Sequence, residues 1–290
     1  MGAFGYNRGM GGPVITLLTD FGDRGGYPGI MKGVIYARHP AAAIVDLTHH
    51  VTPQAIREGA FLLHAAYRYF PPGTIHVAVV DPGVGTDRRA VCLDVPTVGR
   101  FLGPNNGIFS YILHAHPELT AREIANPAYL RRPVSPTFHG RDIFAPAAAA
   151  LAAGAPLEAI GPPLDPAGLV RLPALWPEWE EDPARAGGRR LWGEVVHIDS
   201  FGNLVTTIPQ GRFAALPAAQ LANARVRTSP AIHECRGIAA TYGRSAPGTV
   251  IALFGSSGFL EIARVNGRAD EYARGERVPL GLAVEVRLDP

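Results

Sequence analysis

The sequence predicts an α/β N-terminal domain with a mostly parallel sheet and a smaller C-terminal domain built from strands. Three observations carry this. In the first half, short apolar runs alternate with segments of helical spacing, the pattern of a covered parallel sheet. Between residues 161 and 188 the texture changes to repeated prolines, an acidic patch at Glu178-Trp179-Glu180-Glu181-Asp182 and the pair Gly187-Gly188, which is linker chemistry. Beyond it, short strands with glycine-rich turns and few helices point to a small barrel or sandwich. The predicted boundaries are 13–160 for the first domain, 161–188 for the linker and 189–290 for the second. Residues 1–12 read as a loose leader.

The elements follow in order. Val14-Ile15-Thr16-Leu17-Leu18 is a first strand, and helical spacing over 29–38 stops before Pro40. Ala43-Ile44-Val45 is a second strand. Residues 53–69 put Ile56, Ala60, Leu63, Ala66 and Tyr67 on one face and end before Pro71-Pro72-Gly73, so a second helix belongs there. Strands at 75–80 and 90–95 come next, then the short apolar pair Phe101-Leu102. Residues 142–153 form an alanine-rich helix, with Pro146 tolerable near its first turn. Strands are predicted after the linker at 191–198, 204–208, 224–227, 249–254, 259–263 and 280–288.

Bulk properties close off several classes. A chain of 290 residues that is 47% apolar and 18% charged folds into one or two cores and is not disordered. A net charge of +2, with no dense basic run among aromatics, argues against a nucleic-acid partner. Lys32 is the sole lysine, an arginine bias that reflects genome composition more than anion binding. No run approaches the roughly 20 apolar residues of a membrane helix. The glycine-rich start lacks a signal-peptide core and has Tyr6 where myristoylation expects Ser or Thr, so no membrane partner is expected. Cys92 reads as a core residue, and neither it nor Cys235 has metal-site spacing. A cytoplasmic location is expected, with no metal and no cofactor.

Function is most legible in residues 80–89, Val-Asp-Pro-Gly-Val-Gly-Thr-Asp-Arg-Arg. A buried strand delivers Asp81 into a glycine loop, and the loop returns Arg88 and Arg89, so an acid and a fixed cation share one turn. A loop-stabilising ion pair would look the same. Repetition separates the two readings. Thr19-Asp20-Phe21-Gly22, Asp46-Leu47-Thr48-His49, Gly103-Pro104-Asn105-Asn106-Gly107 and Thr137-Phe138-His139-Gly140-Arg141-Asp142 occupy similar places. Parallel strands would gather most of them on one sheet edge, where crevice-bound ligands lie. Taken singly, Asp20 could cap a turn or helix, and His139 could pack its ring at a helix entry. Residues 199–203 could be a plain tight turn, and Ser256 and Ser257 turn residues beside Gly255 and Gly258. Asn105 and Asn106 read as turn residues.

Residues 19–22, Met31-Lys32-Gly33, and residues 80–89, 103–107, 138–146, 197–207 and 256–263 together resemble the S-adenosylmethionine hydrolases (adenosine-forming), a family related to the fluorinase and chlorinase. The resemblance spans nearly the whole chain in the family's order. It implies an α/β N-terminal domain, a C-terminal β-barrel, and a homotrimer with active sites between subunits. It implies that S-adenosyl-L-methionine is the substrate and that Asp81, Arg88 and His139 activate water. It further implies that Asp20 accepts the ribose hydroxyls and Asp199 the methionine ammonium, that Ser256 and Ser257 receive the carboxylate, and that Asn203 and Tyr242 meet adenine. The halogenases carry Tyr at the Asp81 and His139 positions, and the fluorinase a halide-binding Ser at the Gly140 position. This chain departs from them there, and again at Gln54, where they carry Trp. The stretch 176–188 has no counterpart with a functional account.

Two rivals follow from the resemblance: a chlorinase, and a non-catalytic S-adenosylmethionine sensor. A kinase reading of Asp20-Phe21-Gly22 fails because no catalytic loop precedes it. Ten histidines invite a metal hydrolase, yet His49 and His50 would point apart on a strand and no His-x-x-x-His occurs. A methyltransferase would need an acceptor site, and no G-x-G-x-x-G follows the first strand.

Overall fold

The computed structural model describes residues 13–272 and 275–289, so the leader predicted at 1–12 lies outside the described residues. The chain divides into two compact units between Leu172 and Pro173, within the stretch predicted as linker.

The first unit contains β1 (Ile15–Thr19), α1 (Tyr27–Arg38), β2 (Ile44–Thr48), α2 (Ile56–Tyr67), β3 (Thr74–Val79), β4 (Ala90–Val95), β5 (Gly99–Pro104), α3 (Ser110–Ala115), β6 (Thr120–Glu123), α4 (Ala145–Ala152) and β7 (Pro163–Leu164). Its sheet runs β2-β1-β3-β5-β4-β6-β7. The pairs β2–β1, β1–β3 and β3–β5 are parallel, while β5–β4, β4–β6 and β6–β7 are antiparallel. The expected mostly parallel sheet is therefore corrected to a mixed one. The cause is local. Only residues 96–98 join β4 to β5, with Thr97 in the left-handed region at φ 63°. So short a connection makes a hairpin, because a parallel crossover needs a dozen or more residues.

Ile15, Leu17, Ile75 and Val77 of the sheet pack in one core with Met31 and Ile35 of α1 and the alanines of α4. Alanine at most of the buried positions of α4, with Leu151 the large exception, keeps that face small against α1, and good helix propensity comes with it. β2 continues past the predicted Ala43-Ile44-Val45 through Asp46, Leu47 and Thr48.

The second unit contains β8 (Trp179–Glu181), β9 (Arg189–Ile198), β10 (Leu204–Pro209), α5 (Ala218–Asn223), β11 (Arg225–Ser229), β12 (Glu234–Arg236), β13 (Ile238–Ala239), β14 (Val250–Phe254), β15 (Phe259–Arg264) and β16 (Ala283–Leu288). The order is β12-β11-β16-β9-β10-β15-β14-β13, with β8 added to β9. β12 comes back against β14, so the sheet curls nearly into a barrel around Leu191, Leu204, Ile208, Leu260, Ile262 and Val286. The stretch 161–188 is not structureless: β7 joins β6 in the first sheet and β8 joins β9 in the second. Among the described residues, no helix is long and apolar enough to cross a membrane.

Two histidines are built into the first unit's core. His76 stacks on Phe101 with ring centroids 4.8 Å apart, and its Nδ1 lies 2.8 Å from Thr16 Oγ1. His64 stacks on Tyr111 at 4.9 Å. Burial pushes both down to about 4, with Arg68 adding to the effect at His64. Below pH ~6.5 the unfolded chain binds protons that the folded chain refuses. Their contribution is thus complete above pH ~6.5 and is lost as the pH falls toward 4. The melting temperature should decline between pH 6.5 and 5, ahead of carboxylate protonation. A flat melting temperature across that window would show that both rings are protonated freely in the folded protein.

Candidate active site

Asp81 lies just past the end of β3, and the chain then folds back through two tight turns. Val84 N–H donates to Asp81 O at 3.2 Å, and Thr86 donates to Gly83 O through both its N–H (3.2 Å) and its hydroxyl (2.6 Å). These turns return Arg88 to Asp81. Arg88 Nε stands 3.0 Å from both carboxylate oxygens, and its Nη2 also donates to Oδ2. The same Nη2 lies 2.5 Å from His139 Nδ1. Both side chains of the pair are buried, at 9% exposure for Arg88 and 4% for Asp81, and the guanidinium lies over the Phe144 ring.

A glycine makes this meeting possible. Gly85 has φ 81°, and a Cβ there would fall 2.5 Å from Pro136 O, so only glycine lets the loop rest on the segment that carries His139. His139 enters a wide π-helical turn, Gly140–Phe144, ahead of α4. That turn is pinned by the fully buried Asp142, which accepts from Ser135 N–H (2.8 Å), from Arg141 Nε and Nη2 (both 2.7 Å) and from Arg131 (3.3 Å). Burial works to raise the Asp142 pKa, but the bonds from Arg141, Ser135 and Arg131 hold it below the usual range.

Burial pushes the His139 pKa down, Arg88 pushes it further, and Asp81 and Asp142 oppose them. A guanidinium only donates, so His139 Nδ1 must present a lone pair to it, and the neutral ring carries its proton on Nε2.

Asp20 follows β1, and its Oδ2 accepts the Gln54 N–H at 2.8 Å. Beside it, Phe21, Tyr27 and Phe138 form an edge-to-face triangle with centroids 5.1–5.9 Å apart, which joins the Asp20 loop to the His139 segment. A Cβ at Gly140 would come 3.1 Å from Met31 Sδ and 3.3 Å from the rings of Phe21 and Phe138, so even a small side chain is crowded there. The cluster at 46–49 braces the same loop. Thr19 Oγ1 meets His49 Nδ1 at 2.9 Å, Gly22 N–H donates to His49 O at 2.7 Å, and Lys32 donates to Asp46, which lies 3.0 Å from His49 Nε2.

The second unit holds a cleft of about 930 Å³ whose lining includes Asp199, Asn203, Tyr242 and Ser256. The turn alternative for residues 199–203 is real. Asp199 Oδ1 accepts the N–H groups of Phe201 and Asn203, and Oδ2 accepts Asn203 Nδ2, all at 2.9 Å, with Gly202 at φ 82°. A carboxylate has about four acceptor positions, so this turn still leaves Asp199 capacity toward the cleft. Ser257 is not part of the lining; its Oγ is buried and has no hydrogen-bond partner among the described residues. The cleft also contains Glu261 of β15, which the sequence reading missed. Its Oε2 accepts the Tyr242 hydroxyl at 2.9 Å. Burial and this bond push Tyr242 up to about 12, and burial with Asp199 nearby raises Glu261. A lone acid inside the apolar run 259–263 was the available signal.

An α/β unit with acidic strand ends, joined to a curled β unit with a carboxylate-lined cleft, is a two-domain enzyme frame. The chain belongs to the SAM hydroxide adenosyltransferase family: residues 15–161 match its N-terminal domain and residues 193–276 its C-terminal domain. The (R)-S-adenosyl-L-methionine hydrolase of Salinispora arenicola is 39% identical over 89% of this chain and 92% of its own length. The enzyme of that name from Thermus thermophilus is 36% identical, over 89% and 94%. A fluorinase of Nocardia brasiliensis is 26% identical, over 95% and 97%. Among solved structures, that of an uncharacterized conserved protein from Thermotoga maritima superposes with a TM-score of 0.83 at 35% identity, covering 94% of this chain and all (100%) of the other.

Removing one partner of a buried ion pair strands the other. Arg88→Ala should therefore lower the unfolding free energy by roughly 3–5 kcal/mol, and Asp81→Asn added to it should recover part of the loss. Denaturant titration checks this; a loss below about 1 kcal/mol would mean that solvent already screens the pair.

Proposed function

We propose that the protein hydrolyses S-adenosyl-L-methionine to adenosine and L-methionine by attack of water on the ribose 5′ carbon. The observation that carries this reading is the single guanidinium of Arg88 shared between the Asp81 carboxylate and His139 Nδ1. Hydrolase names among relatives that cover most of the chain support it.

The chemistry needs little else. A sulfonium departs as a neutral thioether, so no general acid is required. Water oxygen bonds to the 5′ carbon, the carbon–sulfur bond breaks, and its electron pair goes to sulfur. What limits the step is a water held in line and partly deprotonated. Arg88 favours hydroxide character electrostatically. His139, with Nδ1 occupied and its proton on Nε2, is a donor that orients the water and not a base toward it. The proton then goes to Asp81, whose carboxylate keeps acceptor capacity beyond its bonds to Arg88. Asp20 takes the ribose hydroxyls, Asp199 the methionine ammonium, Ser256 its carboxylate, and Asn203 and Tyr242 the adenine, while Ser257, off the cleft lining, is left out of the set. Gly140 stands, in tight surroundings, where the fluorinase has its halide-binding serine, which supports water as the nucleophile over a halide.

We propose a homotrimer with active sites between subunits and a cytoplasmic location, the latter in keeping with two buried free cysteines, Cys92 and Cys235. Light scattering on the purified chain should give three times the chain mass, 30.8 kDa; a monomer would refute the assembly without touching the chemistry.

Turnover in heavy-oxygen water should label the adenosine 5′ hydroxyl and invert that carbon, with no halogenated adenosine when chloride is added. Asp81→Ala, Arg88→Ala and His139→Ala should each cost on the order of 10²–10⁴ in rate. Unlabelled adenosine or retained configuration would point to an ester through Asp81 instead. Binding without any adenosine formed would leave a sensor. The relatives' names specify the (R) form of the substrate, so both sulfonium forms belong in the assay.

A further inference from the structure

The strand order places a load on the turn at Asn105-Asn106. β3 and β4 are consecutive in the chain, yet β5 lies between them in the sheet. The loop at 80–89 must therefore arch over the C-terminal end of β5. Directly below that arch, just past Pro104, sit Asn105 and Asn106.

Both are committed to the loop. Asn106 Nδ2 donates to Val80 O at 2.8 Å, and Asn105 N–H donates to Arg89 O at 2.9 Å. The two contacts hold the residue before Asp81 and the residue after Arg88. Val80 is fully buried, so its carbonyl needs a protein donor. The backbone of β5 cannot supply one, because Pro104 has no N–H and the Asn105 N–H is turned to Arg89. A side-chain amide fills the gap. Asn106 is itself fixed, since its Oδ1 accepts the Ile108 N–H at 3.2 Å. Asn105 is likewise fixed: its Oδ1 accepts the Val170 N–H at 2.9 Å.

We infer that Asn106 is a positioning residue for the reaction: its amide, bonded to the Val80 carbonyl, sets where the Asp81 carboxylate stands relative to Arg88. The inference rests on the reading of Asp81 and Arg88 as the water-handling pair. Asn106 does not touch the reacting atoms. Its effect travels through one peptide unit, and a displacement of a reacting group near 1 Å is enough to cost about 10²-fold.

Asn106→Asp separates this role from turn closure. The carboxylate still accepts the Ile108 N–H, but it sets an oxygen against the Val80 carbonyl where the amide donated. The expected result is a kcat lower by roughly 10–100-fold with KM within about twofold, together with a displaced pH profile of kcat. Calorimetric titration with adenosine should keep the wild-type stoichiometry. Asn106→Ala, which loses both bonds, should show the same split and serves if the aspartate variant does not fold. A kcat and pH profile equal to wild type would overturn the inference. So would a kcat that falls only in proportion to the adenosine-binding fraction, which is what a purely structural role gives. Asp81→Ala run alongside separates the two levels: if it retains full turnover, the underlying reading fails whatever Asn106 does.

Discussion

One guanidinium holds the first unit's polar end together. Arg88 is nearly buried, and a buried cation must be met on every side that can donate. The Asp81 carboxylate takes one edge, the His139 lone pair takes Nη2, and the Phe144 ring lies beneath. Meeting those demands dictates the rest: two turns short enough to fold Arg88 back, a glycine that lets the loop rest on the Pro136 carbonyl, and a π-helical turn that presents the imidazole at the right height. Asp142 and its arginines then fix that turn from below. The pair is weak as a source of stability, since desolvation offsets most of its attraction. Its value lies in geometry.

The sheet's change of direction serves the same end. On one side of β5 the strands run parallel and deliver Asp20 and Asp81 at their C-terminal ends; on the other they run antiparallel. Inserting β5 between two strands that follow each other in sequence forces the loop between them to cross the sheet edge. A loop forced across an edge is short of backbone donors, and the Asn105-Asn106 turn is the local answer.

What could be read from the sequence tracks the distance between partners. Asp81 and Arg88 lie seven positions apart and share one turn, so their pairing was visible in the decapeptide itself. His139 lies 51 positions from Arg88; its polar cluster is visible in the sequence, but only the resemblance joins it to Arg88. Asn106 reaches back 26 positions to Val80 through a side chain, and nothing local distinguishes it from a turn asparagine. The mixed sheet could have been read from the three residues joining β4 to β5, but the alternating pattern upstream outweighed that signal. For Asp199 the turn and site readings turned out not to compete, because one carboxylate can close a loop and still face a cleft. Tyr242 lines that cleft as expected, while its partner Glu261 was hidden in a strand that otherwise reads as core.

The alanines of α4 carry a further meaning. Ala145, Ala147, Ala148 and Ala149 are fully buried in one core with Met31, and Met31 in turn lies against the place a Gly140 side chain would take, one residue from His139. Volume is the quantity transmitted along this line. Replacing a fully buried alanine of α4 by a larger residue overpacks the core, which costs about 1–3 kcal/mol and displaces its neighbours. Met31, which shares that core, is the neighbour through which such a displacement meets Gly140. A helix with no polar side chain thereby acts as the gauge block of the site, and its small residues are held by tolerance at a distance as much as by packing at hand.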